Sequence, residues 1–241
     1  MLNDFYDQLS PFYHLIYNDW DADIAQQAKA LSQIIHGQWG RNAKSVLDVS
    51  CGIGTQSIGL AALGFRVTGS DLSPEAVERA KRESASRSLN ISFSVCDMRE
   101  VSAHHGEDFD VVLSGDNSVP HLLCDEEILV ALRGMHACLR PGGGCVITIR
   151  DYDKEERGQC IVKPYGIREE DGKRYLIWQV WDFEGEQYEL SMYFIEDDRE
   201  SGTAKTHVVR SRYYAIIPGR LLALMQQAGF EEAKRLDGVF F

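Results

Sequence analysis

What the sequence lacks narrows it first. No apolar run approaches the roughly 20 residues that a membrane-crossing helix needs. The opening MLNDFYDQLS has neither the basic n-region nor the apolar h-region of a secretory signal. No Cys-x-x-C pair occurs among the six cysteines, at 51, 96, 124, 138, 145 and 160, so they read as reduced structural thiols of a cytoplasmic protein. The seven histidines show no metal-ligand spacing, and His104 and His105 fall in a polar stretch, so no metal is expected. Basic residues are scarce: 25 Lys+Arg stand against 37 Asp+Glu, a net charge of −12. A phosphate backbone needs a basic face, so nucleic acid is not an expected partner, and nor is a membrane. No repeat and no low-complexity tract interrupts the 241 residues, a length that suits one domain with an insertion.

What is present alternates. Residues 21–38 carry apolar positions at helical spacing (Ile24, Ala28, Leu31, Ile34, Ile35). Short apolar strands then follow at 44–49, 65–71, 91–97, 109–115 and 143–150, the last after the turn RPGGG. Helices are expected between them at 55–64, 73–87 and 125–139, with Ser73 as N-cap and Pro74 in the first turn of the second. Short strands with helical crossovers predict a doubly wound, mostly parallel α/β sheet. The pattern changes at KRYLIWQVWDF (173–183), QYELSMYFIED (187–197) and KTHVVRSRYYAII (205–217), which predict an antiparallel β insertion after the fifth strand. A helix over 218–230 follows, and a further edge strand is expected after it. The expected division is an N-terminal helical lid (1–40), an α/β domain (41–159 and 217–241) and the insertion (160–216), which serves as pocket cover or subunit interface.

VLDVSCGIGTQ (46–56) carries the first functional signal. Gly52 and Gly54 let the backbone approach a ligand, and the helix after them offers free N–H groups. In such sheets ligands sit outside the carboxyl ends of the strands, where Asp71 is placed to accept two ribose hydroxyls. A dinucleotide fingerprint wants a third small residue at the position of Ser57 and no acid inside the strand. Asp48 would repel a pyrophosphate and instead suits a ligand with a positive group, such as an ammonium. Asp97, ending the third strand, would accept from an adenine amino group.

As a set, VLDVSCGIGTQS, VTGSDLS, VCDM and LRPGGG resemble the successive motifs of class I S-adenosylmethionine-dependent methyltransferases, over roughly residues 44–150. The resemblance implies a Rossmann-like methyltransferase sheet. It also implies S-adenosylmethionine as cofactor, leaving as S-adenosylhomocysteine, and a small-molecule methyl acceptor. The methionine part would lie over Ser50, Gly52 and Gly54, the ribose against Asp71, and the adenine between Leu72 and Met98. Asp48, Gln56, Ser73, Cys96, Asp97, Ser114, Gly115 and Asp116 complete the implied cofactor set.

VLSGDNSVPHLL (112–123) and VITIRDYD (146–153) are similar to the corresponding segments of glycine and sarcosine N-methyltransferases, with matches at Asn117, Ser118, His121, Leu122, Arg150, Tyr152 and Asp153. RYYAIIPGRLLAL (212–224) resembles that group's Tyr-Tyr segment. The resemblance implies that Arg150 binds an amino acid carboxylate; in such a pocket Asn117 and His121 are placed to orient the amine and His121 to take its proton if it arrives protonated, while Asn117 as a support of the turn is the alternative. Departures are Asp116 in place of glycine, Asp151 in place of asparagine, and an insertion that matches poorly. The residues by themselves leave alternatives: Arg150 in an ion pair with Asp151 or Asp153, and His121 as a core or capping residue. The N-terminal aromatics either pack on the core or close as a lid, with Tyr6, Tyr17 and Trp20, together with Tyr152, Tyr213 and Tyr214, at the substrate. An O- or C-methyltransferase of a larger aromatic or sugar metabolite is the alternative enzyme. A cofactor-binding module without turnover and a nicotinamide-dependent oxidoreductase stand further off. A monomer or a homodimer is expected.

Overall fold

The computed structural model describes residues 2–236. The chain opens with α1 (Leu2–Leu9), a 3-10 turn at Tyr13–Ile16 and the long α2 (Trp20–Trp39), which Asp19 caps by accepting from the Ala22 amide at 3.0 Å. Strands and helices then alternate through β1 (Ser45–Asp48), α3 (Thr55–Ala62), β2 (Arg66–Asp71), α4 (Pro74–Ser86) and β3 (Ser92–Val95). They continue through α5 (Val101–His105), β4 (Phe109–Ser114), α6 (Asp125–Ala137) and β5 (Leu139–Ile147), with a 3-10 turn at Val119–His121 between β4 and α6. Four long strands follow, β6 (Ile161–Glu170), β7 (Lys173–Glu184), β8 (Gln187–Asp198) and β9 (Thr203–Tyr214), before α7 (Pro218–Gln227). No helix among the described residues is long and apolar enough to cross a membrane.

β1 to β5 form one parallel sheet in the order β3-β2-β1-β4-β5. Its central strands are apolar on both faces because helices cover both: Val46, Leu47, Val111 and Val112 are fully buried. The order reverses beside β1, so the loops after β1 and β4 part and open a crevice at the strands' carboxyl ends. α2 lies against α3 closely enough that a Cβ on Gly59 would stand 2.6 Å from the Ala28 side chain and 2.7 Å from the Ile24 carbonyl.

The RPGGG segment, expected as a turn before the fifth strand, is part of β5 itself. Phe109 pairs with Leu139 but Val111 pairs with Gly144, so the extra residues bulge out of the ladder, and residues 148–150 leave the sheet. The insertion is a four-stranded antiparallel sheet in the order β6-β7-β8-β9. Along β7, Tyr175, Ile177, Gln179, Trp181 and Phe183 alternate inward with half-buried neighbours between them, the period-two pattern of a sheet with one covered face. β6 was not expected: Pro164 and Gly166 break its pattern. It is tolerated as an edge strand whose register slips at those two residues.

The first forty residues do not act as one element. α2 packs on α3 and β5, whereas α1 packs on α4 and β9. Phe5, Leu9 and Leu15 are buried in an aromatic core with Tyr152, Trp181, Tyr188 and Phe194 of the segment after β5 and the insertion. The edge strand expected after α7 is absent from residues 228–236, and residues 237–241 lie outside the described ones.

Candidate active site

The glycine turn is built by its own hydrogen bonds. After β1 the Val49 amide donates to Leu113 O and the Cys51 amide to Ser70 O, so the turn stays tied to β4 and β2 (both 2.9 Å). Gly54 then takes φ +97°, a left-handed conformation that costs glycine little, and caps α3. Asp71 fastens the turn to the end of β2: Oδ2 accepts from the Gly52 amide at 2.8 Å and Oδ1 from the Ser73 amide at 2.9 Å. Burial raises its pKa, and the backbone amides work against that rise.

Asp48 does not line the cavity above the turn. It is fully buried beneath the turn, accepting from Ser57 Oγ at 2.7 Å and from the Ser50 amide at 3.3 Å. Burial pushes its carboxyl up to about 7. The acid thus braces the turn from below, and Ser57, read as a missing third glycine, is its partner.

Above the turn lies a cleft that encloses about 700 Å³ when the open solvent at its mouth is counted. Ser50, Gly52 and Gln56 form its floor; Asp71 and Leu72 follow from β2, and Cys96, Asp97 and Met98 from β3. Asp116 and His121 enter from the loop after β4, and Tyr6 from α1. Tyr13, Thr55 and Arg99 also line it and were not expected. Arg99 changes the reading of Asp97: its guanidinium holds that carboxylate at 2.6 and 3.0 Å and reaches Glu127 at 2.8 Å. Burial works against ionisation of Asp97, yet the bonds from Arg99 hold its pKa below the usual range. Its carboxylate is therefore held in place by Arg99 at the cavity wall.

Several expected residues stand behind the wall. Ser114 Oγ lies 3.0 Å from Ser50 Oγ, and Ser73 caps α4 while donating to Asp7 at 2.5 Å. Gly115 leaves room for Gln56, whose amide a Cβ there would meet at 3.1 Å. Tyr17 donates to Asp116 at 2.7 Å and Trp20 to Thr55 at 2.9 Å, so both fasten the N-terminal segment to wall residues without lining the cavity.

A second cluster adjoins His121. Asp116 and Asn117 take φ +50° and +60°, which explains how an acid replaces glycine here: Asp and Asn are the side chains that best tolerate this region. Asn117 is a brace outside the cavity wall, accepting from the Arg150 amide at 3.0 Å and donating to Tyr152 Oη at 2.9 Å. Tyr152 in turn lies 2.9 Å from Tyr188 Oη, and Tyr188 stacks on Tyr213 at 5.2 Å. Arg150 also lies outside the wall. Its guanidinium sits 5.2 Å over the Trp181 ring and donates to Tyr165 Oη at 3.4 Å. Neither Asp151 nor Asp153 pairs with it; Asp151 binds Lys154 and Arg235 instead. Among the described residues Arg150 has no carboxylate partner.

His121 is 6% exposed and its ring lies 4.0 Å from that of Tyr213. Nε2 is 2.6 Å from Tyr6 Oη and Nδ1 is 3.2 Å from Ser211 Oγ. Burial, and after it the Arg150 charge, push its pKa down to about 3, so the ring is neutral at physiological pH. Tyr214 does not belong to this group: it points to the opposite face, donates to Asp125 at 3.0 Å and packs in the core beneath α6 and α7.

The residues lining the cavity fit an adenosyl sulfonium better than a dinucleotide. Three carboxylates face it, and its one guanidinium, Arg99, is already paired twice, leaving no free cation for a pyrophosphate. In fold and pocket lining the chain resembles the class I S-adenosylmethionine-dependent methyltransferases, a class whose cofactor is S-adenosylmethionine. More particularly, residues 46–143 match the methyltransferase domain family. The glycine/sarcosine N-methyltransferase of Parasynechococcus marenigrum (strain WH8102) is 33% identical over 148 residues, covering 60% of this chain and 50% of that protein. The chain thus spans about half the length of the curated relatives it matches. The crystal structure of DesVI from Streptomyces venezuelae superposes with a TM-score of 0.79 at 22% identity, over 91% of this chain and 89% of that one. The sugar N-methyltransferase KedS8 from Streptoalloteichus sp ATCC 53650 superposes with a TM-score of 0.75 at 22% identity, over 90% and 83%. These likenesses extend through the insertion sheet.

Proposed function

We propose that the chain transfers the methyl group of S-adenosylmethionine to the amine of a small amino acid such as glycine or sarcosine. The observation that carries the acceptor is Arg150: a guanidinium set among Tyr165, Trp181, Tyr188 and Tyr213 with no carboxylate of its own among the described residues. An Arg fork binds a carboxylate bidentately and so fixes the attached amine.

Ser50, Gly52 and Gln56 hold the methionine part of the cofactor, Asp71 accepts from its ribose, and Leu72 and Met98 flank its adenine. The bound cofactor supplies an electrophilic methyl on a sulfonium whose leaving group is a neutral thioether. The protein's contribution is alignment and a dry site. Tyr6 and Tyr13 close over the cavity and exclude water. With Nδ1–H donating to Ser211, Nε2 of His121 is free to accept. Tyr6 Oη donates to His121 and so turns a lone pair toward the acceptor's amine, which it positions for attack.

A second reading, transfer to an amino sugar, draws support from the likeness to KedS8 through the insertion sheet. The acceptor would then lack a carboxylate, and Arg150 would serve the aromatic cluster alone. The test is S-adenosylhomocysteine formation with a panel of amino acids and amino sugars. Turnover confined to amino acids supports the first reading, and turnover confined to amino sugars supports the second.

A further inference from the structure

Beside the cavity the chain gathers three soft ligands that the methyl-transfer reading leaves unused as a group. Cys96 follows the end of β3, and α5 ends in His104 and His105. The loop between them turns α5 back toward β3. One ligating atom from each of Cys96, His104 and His105 then lies within 4.8 Å of the other two. The two imidazoles meet edge to face at 4.6 Å, and His104 Nε2 reaches Ser94 Oγ on β3 at 3.0 Å. His105 Nε2 is buried and has no hydrogen-bond partner. Cys96 is 7% exposed, and its thiol donates to the Asp97 carbonyl at 3.3 Å. A buried ring nitrogen with no hydrogen-bond partner among the described residues, in a side chain clustered with a thiol and a second imidazole, is an arrangement that folding alone does not reward.

We propose that Cys96, His104 and His105 bind one thiophilic divalent cation, Zn²⁺ being the first choice. One thiolate and two imidazoles match zinc's preference for sulfur and nitrogen ligands, and three protein ligands leave a fourth, tetrahedral position for water. Tetrahedral bonds of about 2.0–2.3 Å place ligand atoms roughly 3.3–3.6 Å apart. His104, the exposed member, has only to leave Ser94 and rotate inward. Binding exchanges the Cys96 thiol proton for the metal and involves no redox step. Sequence spacing pointed away from a metal because Cys96 and the histidine pair come together only through the return of α5.

The test uses the purified metal-free chain and does not depend on methyl transfer. Co²⁺ is titrated as a spectroscopic probe, Zn²⁺ is titrated by calorimetry, and Zn²⁺ is added to displace Co²⁺. One equivalent per chain is expected, with a thiolate-to-cobalt charge-transfer band that Cys96→Ser abolishes. His104→Gln and His105→Gln should each weaken Zn²⁺ at least about tenfold. His104→Gln alters an exposed side chain, so its melting temperature and S-adenosylhomocysteine affinity without metal should stay unchanged. Absence of the charge-transfer band in the wild-type chain would overturn the site. So would a band that survives Cys96→Ser, or Zn²⁺ affinity indifferent to both histidines.

Discussion

Tyr6 Oη lies 2.6 Å from Nε2 of His121, joining the first helix to the turn after β4 across 115 positions of sequence. The cover over the cavity and the histidine beneath it are therefore one hydrogen-bonded unit. Phe5, beside Tyr6, is buried in the insertion's aromatic core, so the same helix ties the cover to the insertion sheet.

Tyr6→Phe removes this hydrogen bond and keeps the ring packing. Stability should fall by about 1 kcal/mol, the net value of one such bond. The turnover number should fall roughly 10²-fold, the scale on which a misplaced reactant slows the reaction. S-adenosylhomocysteine affinity should hold. Steady-state kinetics with calorimetry checks this, and an unchanged turnover number excludes the positioning role of Tyr6.

His121 titrates near 3 in the folded chain, against about 6.5 when exposed. A lowered folded pKa means that the neutral ring's contribution is complete above about 6.5 and is lost as pH falls toward 3. The melting temperature of the wild type should thus drop relative to His121→Gln between pH 6.5 and pH 4. A difference that stays constant across that range contradicts the neutral, buried ring.

Asp48 works in the opposite sense. Its folded pKa, about 7, lies above the usual carboxylate value, so the stability linked to its proton is full below about 4 and lost as pH rises through 7. Asp48→Asn keeps an acceptor for Ser57 and does not ionise. Its melting temperature should gain on the wild type as pH rises from 5 to 8, by an amount on the order of a few kcal/mol of stability. Parallel curves would place the ionisation elsewhere.

Asp71→Asn retains the shape of the side chain and one acceptor oxygen. It should weaken S-adenosylhomocysteine by about 1.5–3 kcal/mol, the range for hydrogen bonds to a charged group. Titration calorimetry measures it, and an unchanged dissociation constant moves the ribose away from Asp71.

The parallel half of the fold was legible because each strand is a short apolar run and the helices carry local signals, such as Ser73 and Pro74 before α4. Gly52, Gly54 and Asp71 were legible for the same reason, since a glycine turn and a strand-end acid are local features. β6 was hidden by Pro164 and Gly166, residues that an edge strand admits and a central one does not. Tyr213 and Tyr214 read alike in sequence. Adjacent residues of a strand face opposite ways, so one meets His121 and the other the core under α6. Tyr13, Thr55 and Arg99 reach the cavity through tertiary packing that no local pattern announces. Asp48 was recognised as unusual, but only the fold reveals Ser57 as its partner.

The most direct test compares S-adenosylhomocysteine formation by the wild type and by Arg150→Ala, with glycine or sarcosine as acceptor and with an amino sugar as control. The account predicts turnover on the amino acid, a KM raised on the order of a hundredfold in Arg150→Ala, and cofactor affinity unchanged. Turnover on the amino sugar alone, indifferent to Arg150→Ala, would contradict it.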